Sequence, residues 1–238
     1  MGRNGKGWFL LFALIFLISC AHTSPEAESP RKRGKARKGE HQVKAKKPLT
    51  AEEELKQGDH HLARGEVMGA VIHYQNALEK DPSLAKAHLQ MAKAYGKQRR
   101  MGLYEKELQE AVKVDPELAE ARYLLASWYF TSGRNKEALA ESEVLIKSDP
   151  ENEKYRLFRV MIYDATKDYK KAIEDLGYLV KVHPQKAQYL LSLGAMYRRA
   201  GDEKKARKYL QKVKEVAPKS FEAKMAEEML QEGKEKKK

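Results

Sequence analysis

Proline recurs at Pro82, Pro116, Pro150, Pro184 and Pro218, thirty-four residues apart each time. Three of the five follow an aspartate (Asp81, Asp115, Asp149), one follows His183 and one Ala217. Proline lacks a backbone N–H and its ring collides with the preceding helical turn, so it ends helices. A fixed period of this length, closed by proline, predicts a stack of helix–turn–helix units. With proline at position 32, the units run 51–84, 85–118, 119–152, 153–186 and 187–220.

The pattern inside the units agrees. Position 8 reads Gly58, Ala92, Ala126, Val160, Gly194, and position 20 reads Ala70, Tyr104, Ala138, Ala172, Ala206. Two antiparallel helices approach closely only where side chains are small, so these positions are expected to face each other. Position 11 reads His61, Tyr95, Tyr129, Tyr163, Tyr197, a row of large rings beside that contact. Gly133 and Gly201 fall at position 15, where a left-handed residue ends a first helix. These residues resemble the tetratricopeptide repeat (TPR) family over about 170 of the 238 residues. The resemblance implies an all-α fold: a right-handed α-solenoid of five TPR helix–turn–helix repeats plus a C-terminal capping helix. Unit two departs from the pattern, with Tyr104 at position 20 and Arg99 at position 15, so its helices are expected to splay or to connect differently. The cap is expected at 221–232, with Phe221, Met225 and Met229 on one face, Glu227 and Glu228 turned to water, and Gly233 closing it.

The N-terminus carries a different signal. Arg3 and Lys6 precede an apolar run from Trp8 to Ile18. Eleven helical residues reach about 17 Å, short of the roughly 30 Å hydrocarbon core, so the run has signal-peptide rather than membrane-spanning length. It ends in Leu17-Ile18-Ser19-Cys20, which resembles the lipobox of bacterial lipoproteins. Cys20 is the chain's single cysteine. The resemblance implies cleavage of residues 1–19 and acylation of Cys20, for example with palmitate. It also implies lipid anchoring in a bacterial envelope, with Ala21 favouring the outer membrane facing the periplasm. Residues 20–48 lack apolar periodicity and predict a disordered basic linker. From Arg31 to Lys47 there are nine Lys/Arg against one acid, led by Arg31, Lys32, Arg33, Lys35, Arg37 and Lys38. That run is suited to anionic lipid or a cell-wall polymer. A basic tail follows at 234–238. The repeat region 49–233 holds 32 basic and 30 acidic residues, so the net charge of +13 is expected on the flexible ends. No nucleic-acid partner is expected, because a reader of nucleic acid needs its basic stripe on the folded surface.

The sequence holds no nucleotide loop, zinc-ligand spacing or Gly-x-Ser-x-Gly. Its Ser-x-x-Lys matches, at Ser83 and Ser29, lack the companion motifs of penicillin-binding enzymes. His60 and His61 are adjacent and point to different sides of a helix. The expectation is a non-enzymatic protein with no metal and no cofactor beyond the lipid on Cys20. The TPR resemblance implies a concave groove lined by first helices, and so a protein or peptide partner. Carried over position by position, its candidate residues are Leu55, Leu89, Lys93, Tyr123, Ser127, Phe130, Leu157, Met161, Leu191 and Arg198. An apolar strip flanked by charge suits an amphipathic helix or extended peptide. The groove lacks an Asn at position 9, which argues against a carboxylate clamp. Lipoproteins of this layout resemble the pilotins of type IV pili, which implies a scaffold or adaptor in envelope complex assembly. The alternative is a structural lipoprotein binding cell wall or anionic polymer through the linker.

Overall fold

The structure is a computed structural model that describes residues 47–235. Cys20, the apolar run and the basic linker residues Arg31–Lys38 lie outside the described residues. The described chain forms eleven helices: α1 Ala51–Ala63, α2 Val67–Lys80, α3 Ala85–Lys97, α4 Met101–Val114, α5 Ala119–Thr131, α6 Asn135–Ser148, α7 Glu153–Ala165, α8 Tyr169–Val182, α9 Ala187–Arg199, α10 Glu203–Val216 and α11 Phe221–Glu235. Each first helix starts 34 residues after the last, and so does each second helix. There is no strand among the described residues.

Local chemistry sets the ends. Thr50 and Glu53 form a reciprocal capping box at α1, satisfying two helix-end N–H groups. Asn152, Asp168 and Asp202 cap α7, α8 and α10 through their side chains. The Asp-Pro turns close on themselves. Asp81 Oδ1 accepts from the Ser83 amide and hydroxyl, and Asp115 Oδ1 accepts from the Glu117 amide.

The turn from first to second helix takes one left-handed residue in every unit. They are Gly65, Arg99, Gly133, Lys167 and Gly201, with φ between 58° and 84°. Unit two therefore connects like the others, although arginine stands where glycine would be unstrained. Nor do its helices splay. A Cβ on Gly96 would lie 3.2 Å from the Tyr104 ring, so the missing side chain on α3 makes room for the large one on α4.

Packing follows the small-residue rule. Ala70, Ala138, Ala172 and Ala206 are fully buried, as are Tyr74, Leu108, Leu176 and Leu210 at position 24. A Cβ on Gly58 would fall 2.3 Å from the Tyr74 ring, so that helix pair tolerates no side chain there. The core runs as three linked clusters. Tyr74, Met91 and Tyr95 lie in the first, Leu108, Leu125 and Ile162 in the second, Leu176, Leu193 and Leu210 in the third. Tyr104 packs against the first and second, and Leu139 against the second and third. Glu53, Lys56 and His60 on α1 and Lys224, Glu227, Glu228 and Gln231 on α11 turn exposed polar side chains outward at the two ends. The unit beginning at Lys47 is thus self-contained. α11 runs through Gly233 to Glu235, so Gly233 does not close it.

Buried charges form a ladder that the sequence pattern did not announce. Position 4 of the first helix meets position 23 of the second in four consecutive units. The rungs are Glu54–His73 at 2.7 Å, His88–Glu107 at 2.8 Å, Arg122–Glu141, and Arg156–Asp175 at 3.0 Å. In the fifth unit Leu190, buried in the apolar core, and Tyr209, packed half-buried against it, stand there. Arg122 and Arg156 also donate to the carbonyls of Pro116 and Pro150, tying each arginine to the preceding proline turn. Such pairs contribute little net stability over an apolar pair, but removing one partner strands a buried charge.

Two outcomes test this account. Arg99→Gly and Lys167→Gly relieve a left-handed side chain at the cost of a freer unfolded chain. Each is expected to stabilise by about 0.5–1 kcal/mol, read as a higher urea midpoint, while Gly133→Arg lowers it. Two unchanged midpoints would show the turns to be unstrained. Glu54 accepts from Lys80 and His73, which hold its carboxyl below the ordinary value of 4.5. Its contribution is complete above that value and fades as pH falls through the lower folded value. Glu54→Gln is therefore expected to lower the Tm at pH 7, with the gap to the parent closing below pH 4.5. A gap independent of pH would refute the assignment.

Candidate functional site

The first helices contact one another directly. Lys93 on α3 pairs with Glu120 on α5 at 2.7 Å, and Arg199 on α9 pairs with Asp164 on α7. Aromatic side chains continue the same face. The Tyr123 ring lies 5.3 Å from Phe158 and 6.0 Å from Tyr155, and Phe130 meets Phe158 edge-on at 5.9 Å.

On this face α5, α7 and the start of α9 enclose an open depression of about 420 Å³. Tyr123, Leu157, Phe158 and Met161 supply its apolar surface, and Glu153, Lys154, Lys186, Gln188 and Tyr189 its polar one. Met161 is 54% exposed, a large apolar side chain left to water. Lys154 Nζ sits 3.7 Å from the centre of the Tyr123 ring, an attraction between cation and ring face. Burial pushes the Tyr123 hydroxyl above its ordinary pKa, with a smaller contribution from Tyr155. At one rim Glu153 binds Lys186 Nζ at 2.6 Å, His183 Nε2 at 2.5 Å and the Tyr189 hydroxyl. Hydrogen bonds from Lys186 and Tyr189, then the charge of His183, hold its carboxyl below the usual range. This carboxylate is saturated by structural partners. The chemistry on offer is an apolar seat beside an ammonium group.

The structure brings Tyr123, Leu157 and Met161 of the expected groove set together. Phe130 packs behind them, and Ser127 is half-buried on α5. Others are placed elsewhere. Leu89 is a core residue, 3% exposed, packed among Ala92, Ala111 and Ala121, away from this depression. Leu55 and Leu191 are half-buried against the first and third clusters. Lys93 is engaged by Glu120. Arg198 bonds Glu203, Glu232 and the carbonyl of Met229, so it fastens α11 rather than facing a ligand. His61 occupies the tyrosine slot half-buried, bonded to Glu66 at 2.6 Å and stacked on His73. The set carried over from the family passed over Phe158 and Tyr189, which lie on the first helices α7 and α9, each next in sequence to a residue that lines the depression, Leu157 and Gln188.

Among the described residues no three or more metal-ligating side chains gather, and no helix is long and apolar enough to cross a membrane.

A right-handed stack of paired antiparallel helices with one inner face of first helices defines an α-solenoid. The tetratricopeptide repeat profile matches residues 89–153 and 159–221, more than half of the chain, and a TPR repeat profile matches 58–98. The chain belongs to the tetratricopeptide repeat family. Among solved structures it resembles MamA, with 24% identity and a TM-score of 0.62 over 71% of this chain and 92% of that one. It also resembles YrrB, described as a TPR protein with an unusual peptide-binding site, at 18% identity and TM-score 0.63, covering 75% of this chain and 92% of that one. A TPR protein from Parabacteroides merdae matches at 16% identity and TM-score 0.62, covering 71% and 68%. These likenesses establish the fold. No curated protein matches the chain.

Proposed function

We propose that this protein is a membrane-anchored TPR scaffold that holds a protein or peptide partner on its inner face, for the assembly of a complex in a bacterial cell envelope. The carrying observation is the depression at Tyr123, Leu157 and Met161, an exposed apolar seat beside Lys154 within a family of binding scaffolds. Solvent-exposed Met161 next to a cation suits an amphipathic segment with an apolar anchor. The peptide-binding site of YrrB, on the same fold, supports a peptide as the occupant. Pilotin-like service to a pilus or secretin complex is the particular assembly that the lipobox, linker and repeat layout favour.

Anchoring rests on Cys20. It is the only cysteine, placed where an apolar run of signal-peptide length ends. Several acyl chains would hold the protein on a bilayer. An outer-membrane position facing the periplasm is the corresponding address. The nine cations of Arg31–Lys47 favour a second reading, in which the linker binds anionic cell-wall polymer and the repeats act as a spacer.

The groove is tested by a cross-linking pull-down from bacterial envelope extract, comparing the parent with a Met161→Glu, Lys154→Glu variant. Both side chains are exposed, so helicity is expected to be unchanged. The parent is expected to enrich one envelope protein that the folded variant loses. Equal recovery by both would sink the groove reading. Anchoring is tested separately: Cys20→Ser is expected to move the protein from the membrane to the soluble fraction and abolish labelling by a fatty-acid probe. Retention of label would exclude Cys20 as the attachment point.

A further inference from the structure

Consecutive helices run antiparallel, so turns from first to second helix share one edge of the stack and turns between units share the other. Gln98 Nε2 lies 3.3 Å from Met68 Sδ, which sets the second intra-unit turn beside the first. The two edges differ in charge. The intra-unit turns, taken as 63–69, 97–103, 131–137, 165–171 and 199–205, hold twelve Lys/Arg against five Asp/Glu. The inter-unit turns, 80–87, 114–121, 148–155, 182–189 and 216–223, hold five against eight. The near-neutral total of the repeats therefore conceals a basic edge and an acidic one.

The acids of the basic edge are largely consumed internally. Glu66 is engaged by His61 and Arg64, Asp168 by Lys171, Asp202 by Lys205 and Glu203 by Arg198. Arg99, Lys136, Lys167, Lys170 and Lys204 are exposed and make no ion pair among the described residues. Two of these, Arg99 and Lys167, occupy the left-handed position that glycine fills in the other three units. A cation held at a strained turn tip, with no partner inside the fold, points to a partner outside it.

We propose that this edge docks the repeat domain onto an anionic bilayer surface through phospholipid headgroups. The cations are mostly lysines, scattered over four successive turn tips. Mobile headgroups gather under such an array without a fixed register, and each cation adds to the attraction. A single-stranded nucleic acid would need outward aromatic rings on which to stack bases. Here Tyr95, Tyr129, Tyr163 and Tyr197 instead lie beneath basic side chains of the same unit. The surface is distinct from both the inner face and the N-terminal linker.

The test uses residues 47–238, which excludes the linker cations 31–46 and the lipid. The vesicles are phosphatidylcholine alone, or with about one-third phosphatidylglycerol. The edge variant carries Arg99→Gly, Lys136→Gln, Lys167→Gly, Lys170→Gln and Lys204→Gln. A control of equal net charge carries Lys147→Gln, Lys181→Gln, Lys212→Gln, Lys219→Gln and Lys224→Gln. The parent is expected to co-sediment with anionic but not neutral vesicles, and less so as salt rises. The edge variant should bind at least about tenfold more weakly, and the control close to the parent. Arg99→Gly with Lys167→Gly alone should weaken binding while raising the urea midpoint, which a merely misfolded variant cannot do. Equal loss in edge and control variants would overturn the proposal in favour of net charge. So would parent binding indifferent to phosphatidylglycerol, or binding to soluble polyphosphate with none to vesicles, which would make the partner a polymer.

Discussion

Everything in this fold depends on how closely the two helices of one unit can approach. The contact works by complementary volume rather than by a fixed residue. Gly58 yields to Tyr74, Gly194 to Leu210, and Gly96 to Tyr104, while fully buried alanines at position 20 serve the other four units. Close approach in each pair leaves both turns of every unit in register with the next. The inner face and the two edges follow from that. Tyr104 shows the freedom in the rule. A ring at a small-residue position is absorbed by an absent side chain across the pair, and it bridges two core clusters in doing so.

The buried ladder at positions 4 and 23 adds something packing alone does not. Glu54, Glu107, Arg122 and Asp175 are the buried acidic and basic side chains of the described fold, and every one belongs to a rung. Apolar contacts are tolerant of sliding, whereas an ion pair and a proline carbonyl shared by one arginine are not. The rungs therefore act on register, holding each second helix against its own first helix and the preceding turn. Their signs differ. The acid is on the first helix in unit one and on the second helix in units two to four, so a shift of partners would set acid against acid.

The period, the eleven helices and the turn positions were legible because proline and small residues have few alternatives. The ladder was less so. A charge on a helix reads as solvated unless its partner is known, and the telling signal was a charge recurring 19 residues after another, across a turn. The groove was legible in part for a related reason. Position 5 carries leucine or tyrosine in every unit, but exposure is decided by the neighbouring helix. Leu89 is covered because Ala92, Ala111 and Ala121 let the helices close over it. Leu157 and Met161 stay accessible beside Phe158 and the Tyr123 ring.

Charge was misread for want of geometry. A near balance of 32 basic and 30 acidic residues suggests an unpolarised surface. Balance along a chain says nothing of balance across it once every fourth element returns to the same edge. Turns alternate with period 34, so acids placed near proline and cations placed near position 15 separate in space while cancelling in the sum. The acids near proline have local work, as Asp81 and Asp115 show by closing their turns. Arg99, Lys136, Lys167, Lys170 and Lys204, near position 15, make no ion pair within the described fold, and two of them stand where backbone geometry favours glycine. A stability argument alone would replace them. Because the edge and the inner face are different surfaces, a partner on the edge leaves the depression at Tyr123 and Met161 open, and the two can be occupied at once.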